Sequence, residues 1–158
     1  VFLELDDRAA LATKLGADLF ISLHYNAGPA GDTSADGVET YCLTPAGQRS
    51  TNAGKAKSTT AAEPGNRFDS ANALLAWSIQ RRMIRATGAD DRGVRRARFA
   101  VLRTLTCPGV LIEGGFMSSR REGALIADGA YRQKIAEAIA AAVGDYASRV
   151  RPAPKAGR

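Results

Sequence analysis

"ADLFISLHYNA", Ala17 to Ala27, decides how the rest of the chain is read, because an apolar run there ends on the only histidine of 158 residues. The run Leu19–His24 is long enough for a strand, and its near-continuous apolar character is that of a strand buried on both faces. Tyr25, Asn26 and a Gly-Pro loop follow at once. On residue type alone, His24 is either a metal ligand or a hydrogen-bonded histidine at a strand end.

Outward from this strand, helix and strand patterns alternate. Upstream, Asp6 or Asp7 is placed to cap a helix through Arg8, Leu11, Ala12 and Leu15, with Gly16 to end it. Downstream, a loop rich in Gly, Pro, Asp and Ser spans Gly28 to Gly37, and "VETYCL" (Val38–Leu43) alternates as a second strand. Thr44–Arg67 is long, polar and loop-like, which in a compact domain marks a functional rim or an insertion. It contains no evident amphipathic helix. From Asp69 the positions Ala71, Leu74, Leu75, Ser78, Ile79, Met83 and Ala86 share a helix face, and Gly88 closes it. Phe99–Leu102 reads as a short strand and "GVLIEGGF" (Gly109–Phe116) as a buried one. Ser119 with Glu122 makes a capping box. A final helix carries Tyr131, Ile135, Ala138, Ile139, Ala142, Val143 and Tyr146 on one stripe. The expectation is one α/β domain with a mainly parallel, twisted sheet and helices on both faces.

Bulk properties narrow the function classes. With 45% apolar and 24% charged residues, the composition is that of a folded domain with a real core. No apolar run approaches the roughly 20 residues a transmembrane helix requires. The net charge is +6, and eight arginines fall within "RRMIRATGADDRGVRRARFAVLR" (Arg81–Arg103). That stretch reads as a solvated helix face and turn, without the aromatic interleaving or motif of a nucleic-acid surface, so no nucleic-acid partner is expected. It is compatible with an acidic substrate. Cys42 and Cys107 lack zinc-knuckle spacing and sit in apolar surroundings, and their pairing stays open.

Open α/β sheets bind ligands beyond the carboxyl ends of their strands. His24 stands at one such end. Glu113 stands at another, after Val110-Leu111-Ile112 and before a Gly-Gly turn. A carboxylate there needs a cationic, metal or hydrogen-bonding partner if it is buried. An imidazole and a carboxylate at one sheet edge suit metal-assisted hydrolysis, with the histidine on zinc and the glutamate as base. An ion pair between Glu113 and one of the many arginines is the alternative. With one histidine, the residues by themselves yield an incomplete metal site.

Three stretches then carry a family resemblance: "LDDRAALATKLGADLFISLHYNA", "GVETYCL" and "DRGVRRARFAVLRTLTCPGVLIEGGFMSSRREGALI". Together they resemble the zinc-dependent N-acetylmuramoyl-L-alanine amidases of the Amidase_3 type, from Leu5 to about Tyr146. The resemblance implies Zn2+ as cofactor, His24 as a zinc ligand, Glu113 as the catalytic acid/base and Asn26 as a substrate-side residue. It implies a peptidoglycan hydrolase of the cell envelope, periplasmic or extracellular, that cleaves between N-acetylmuramic acid and L-alanine. A non-catalytic peptidoglycan-binding relative and another zinc hydrolase, such as a carboxypeptidase, are the alternatives. The family's Asp-Pro-Gly-His-Gly turn and following glutamate ligand have no counterpart here. The expectation is therefore a catalytic domain over residues 1–148 that lacks the family's first strand and helix and is inactive as it stands. A basic, Pro-containing tail at 149–158 is expected to be disordered. Ser119 stands where the family commonly has asparagine.

Overall fold

The computed structural model describes residues 3–52 and 60–150. Helix α1 (Leu5–Lys14) leads into β1 (Phe20–Asn26), and β2 (Val38–Leu43) follows the Gly-rich loop. After a 3₁₀ turn at Pro64–Phe68 come α2 (Asp69–Thr87), β3 (Asp91–Ala97), α3 (Ala100–Arg103), β4 (Gly109–Phe116), α4 (Arg120–Ala127) and α5 (Gly129–Val150). The four strands form one sheet in the order β1-β4-β2-β3. β1 runs parallel to β4 and β2 parallel to β3, while β2 and β4 are antiparallel. The expected mainly parallel α/β sheet is therefore present, with one antiparallel seam at its centre.

Strand alternation sorts the core into two layers. Val110 and Ile112 of β4 face α2 and α5, where Leu75, Ile79, Met83 and Ile135 close the larger core. Leu111 faces the other way, onto α1 and α3, with Tyr41, Leu43, Leu102 and Leu105. The α1 side is thin because that helix offers only Ala9 and Ala12 to the interior. Each of the large buried side chains contributes roughly 1.5–3 kcal/mol by leaving water.

Several elements differ from the sequence reading. Glu4 occupies the N-cap of α1 without a side-chain cap bond, and Asp6 and Asp7 lie in the first turn, where their charge favours the helix dipole instead. The apolar β1 is an edge strand, with Leu23 44% exposed; β4, flanked on both sides, is the strand with the doubly buried character. Phe99–Leu102 is no strand: Ala100–Arg103 forms a single helical turn. The missing strand is "DRGVRRA", whose three arginines hid an edge strand satisfied through its ladder with β2. The 3₁₀ turn, with Glu63 and Asn66 in a reciprocal cap, occupies the end of the long polar segment. Positions 53–59 of that segment, and 151–158 of the expected tail, lie outside the described residues; 149 and 150 belong to α5. Gly88 ends α2 in the left-handed conformation, as its position implied.

Candidate active site

The antiparallel seam builds the site. His24 of β1 and Glu39 of β2 are both ladder partners of Glu113 on β4. Directly opposed residues share a face of the sheet, so these three side chains stand in one row across three strands. The face is that of Leu111, toward the thin α1 layer. His24 and Glu113, picked out separately from the sequence, are thus brought together by the register.

Glu39 is the hub of the row. It is buried, at 3% exposure, and both its oxygens are occupied. Oε1 accepts from Tyr41 Oη at 2.9 Å and from Asn26 Nδ2 at 3.3 Å. Oε2 pairs with Arg92 Nε at 3.0 Å and Arg95 Nε at 2.8 Å. Arg92 also donates to the Asp36 carbonyl and lies over the Phe116 ring.

Glu113 has the opposite environment. Its Oε2 is buried and accepts or donates no hydrogen bond among the described residues. Burial first, and then the charge of Glu39, push its carboxyl up to about 7. A carboxyl poised near 7 can exchange protons with a group bound beside it. The expected Gly-Gly turn after Glu113 is instead the last stretch of β4, where the second glycine is a steric requirement: Gly115 has φ +128°, and a Cβ there would press on Glu122 Oε2 at 3.2 Å.

His24 is half-buried, and its Nε2 lies 2.8 Å from Ser22 Oγ. Asn26 uses its Nδ2 on Glu39, while its Oδ1 accepts from the Ala27 amide. Ser22, Arg92 and Arg95 carry no site role in the sequence reading. The signal for Glu39 was available, since an acid between Val38 and Thr40 in an otherwise strand-like run must find partners. The arginines could not be found without the β3 register.

The remaining basic residues are largely committed to the protein itself. Arg98 donates to the carbonyls of Ala61, Pro45 and Gln48, Arg96 to Gln48 Oε1, and Arg82 to Asp145. Among the described residues no three His, Cys, Asp or Glu side chains gather as a metal-binding group. His24 is a single imidazole donor, and the second carboxylate nearby is spent on arginines. These residues do not by themselves fit a zinc site, which needs about three protein ligands.

Fold and site define an α/β domain whose central strand pair carries Glu113, a raised carboxyl with its Oε2 unpartnered among the described residues. The chain belongs to the N-acetylmuramoyl-L-alanine amidase family, Amidase_3, whose model matches residues 1–145. It is 33% identical over 142 residues to an uncharacterized cell wall amidase of Bacillus anthracis, covering 90% of this chain and 23% of that protein. It is 30% identical over 139 residues to the amidase LytC of Bacillus subtilis, covering 87% of this chain and 23% of that relative. Among solved structures, an N-acetylmuramoyl-L-alanine amidase of Clostridium difficile 630 superposes with TM-score 0.75 at 28% identity, covering 96% of this chain and 69% of that one. The catalytic domain of CwlV from Bacillus (Paenibacillus) polymyxa gives TM-score 0.73 at 30% identity, covering 94% and 68%. The chain spans between 23% and 59% of the first three curated relatives it matches.

Proposed function

We propose that this chain is the catalytic portion of a peptidoglycan amidase of the cell envelope. The bond broken is the amide between the lactyl group of N-acetylmuramic acid and L-alanine of the stem peptide. One observation carries the reading: Glu113 is a half-buried carboxyl, its Oε2 buried without a hydrogen-bond partner among the described residues, poised near neutrality and in register with His24. Such a group takes a proton from an attacking water and returns it to the leaving amine. The carbon–nitrogen bond breaks, and the products are a lactyl carboxylate and a peptide with a free L-alanine amine. Asn26 lines the substrate side and steadies Glu39.

The family resemblance implies zinc, with His24 as one ligand. A three-ligand site needs two donors beyond those the described residues bring to His24, so no step is assigned to the metal. The lone imidazole is also the observation that favours a binding-only relative.

Product analysis decides among these readings. The protein carrying this chain, incubated with purified cell wall, is expected to release peptides beginning with L-alanine. Release of single amino acids instead would establish a carboxypeptidase. Tight wall binding without any new amine would establish the binding-only relative.

A further inference from the structure

Two guanidiniums meet one carboxylate beside Glu113, and this imbalance has a chemical use. Arg92 and Arg95 share Glu39 Oε2, so one positive charge is left over at the site. Both side chains are about one-third exposed, at 34% and 33%, while Glu39 is sealed at 3%. The terminal nitrogens of Arg95 make no hydrogen bond to the described residues, whereas Arg92 is fixed by the Asp36 carbonyl and by Phe116. Arg95 is held against Glu39 by charge, its Nε 2.8 Å away without hydrogen-bond geometry, and a one-third exposed guanidinium in that position keeps its fork for a carboxylate.

We infer that Arg95, supported by Arg92, is a binding site for a carboxylate of the substrate: the one on the residue that follows L-alanine in the stem peptide. Distance selects that residue. Neighbouring strands lie about 4.8 Å apart, and Glu39 is one strand from Glu113. Arg92 and Arg95 come from β3, two strands from Glu113, and reach back to Glu39, so their guanidiniums stand between about one and two strand spacings, about 5–10 Å, from the proton-exchanging group. An extended peptide advances about 3.3–3.6 Å per residue. The scissile carbonyl belongs to the lactyl group, so the residue after L-alanine and its acid group lie two residues, about 7 Å, beyond it, within the span the arginines cover. The inference rests on the amidase reading for the identity of the peptide, and it predicts a preference for a free acid over its amide at this position.

The test is a binding measurement, so its failure is separable from a failure to hydrolyse. Two probes are titrated into this chain by calorimetry or NMR: N-acetyl-L-alanyl-γ-D-glutamate and the same dipeptide with its α-carboxylate converted to the carboxamide. Charge-assisted pairing of this kind predicts roughly tenfold tighter binding of the acid at low salt. The advantage shrinks as ionic strength rises. Arg95→Gln is expected to erase the preference, and Arg95→Lys to restore part of it through charge alone. Arg82→Gln, on the other layer and paired with Asp145, keeps it. Should Arg95→Gln fail to fold, the salt dependence of the two probes on the native chain decides. Equal binding of acid and amide by the native chain, no binding of either, or a preference that survives Arg95→Gln, overturns the inference. Product analysis of cell-wall digests tests the amidase reading independently.

Discussion

Glu113 and Glu39 are the same residue type one ladder partner apart, and only their surroundings separate them. Glu39 accepts from three donors and pairs with Arg95 by charge; Glu113 Oε2 meets no donor among the described residues. Replacing Glu113 by Gln should lower turnover of the protein carrying this chain by about a hundredfold to ten-thousandfold, the range for loss of general acid–base catalysis. Stability should move the other way. Because the folded carboxyl is raised from 4.5 to about 7, its favourable contribution is complete below pH 4.5 and is lost as pH rises through 7. At pH 8 the Gln variant should therefore melt above the parent, by at most about 3 kcal/mol; melting curves that run parallel from pH 5 to pH 8 would contradict the shift. Glu39→Gln should do different damage. It leaves two guanidiniums without their buried counter-charge, at a cost of about 3 kcal/mol or more in denaturant unfolding. It also removes the charge that raises Glu113, so the pKa that governs activity should fall.

At the scale of elements, the turn after β4 shows how caps and site share residues. Ser119 caps α4 through the Glu122 amide at 3.1 Å. The Glu122 side chain does not reach back to complete the box; it accepts from the Gly37 amide at 2.9 Å and the Phe116 amide at 2.8 Å. It thereby ties the entry of β2 to the exit of β4, the two strands that carry Glu39 and Glu113. Ser119→Ala should cost about 1 kcal/mol, an ordinary cap. Glu122→Ala should cost about 3 kcal/mol, because two buried amides lose a charged acceptor. Equal losses by chemical denaturation would show that Glu122 is only a cap residue. The sequence announced the Ser119 cap, but the expected box is only half formed, because the Glu122 side chain is taken by the Gly37 amide 85 positions away, which no local pattern shows. The same limit explains β3 and α3. A four-residue apolar run does not distinguish a strand from a helical turn, and an arginine-rich edge strand carries no apolar alternation to detect.

For the molecule as a whole, metal response and solubility follow from what the described residues offer. With one imidazole and no three-residue cluster, adding zinc to this chain should leave its melting temperature unchanged. A site filled at a thousand times its dissociation constant would add about 4 kcal/mol, so a clear upward shift would reveal ligands other than those described. The edge at β1 exposes Leu23 beside Leu3 and Leu11. An apolar, unpaired strand edge promotes self-association; Leu23→Lys should reduce it in light scattering, and unchanged scattering would place the association elsewhere. The sequence by itself determined the α/β class, the two long helices, the strands through His24 and Glu113, and the family. These features repeat in a local apolar period or stand as contiguous motifs. Only the tertiary structure decided that β2 enters antiparallel beside β4, that Glu39 lies against Glu113, and that Arg92 and Arg95 come from a strand to hold it. Strand order and register are set by how side chains from distant positions pack on both faces, and no local pattern encodes which strand becomes the neighbour.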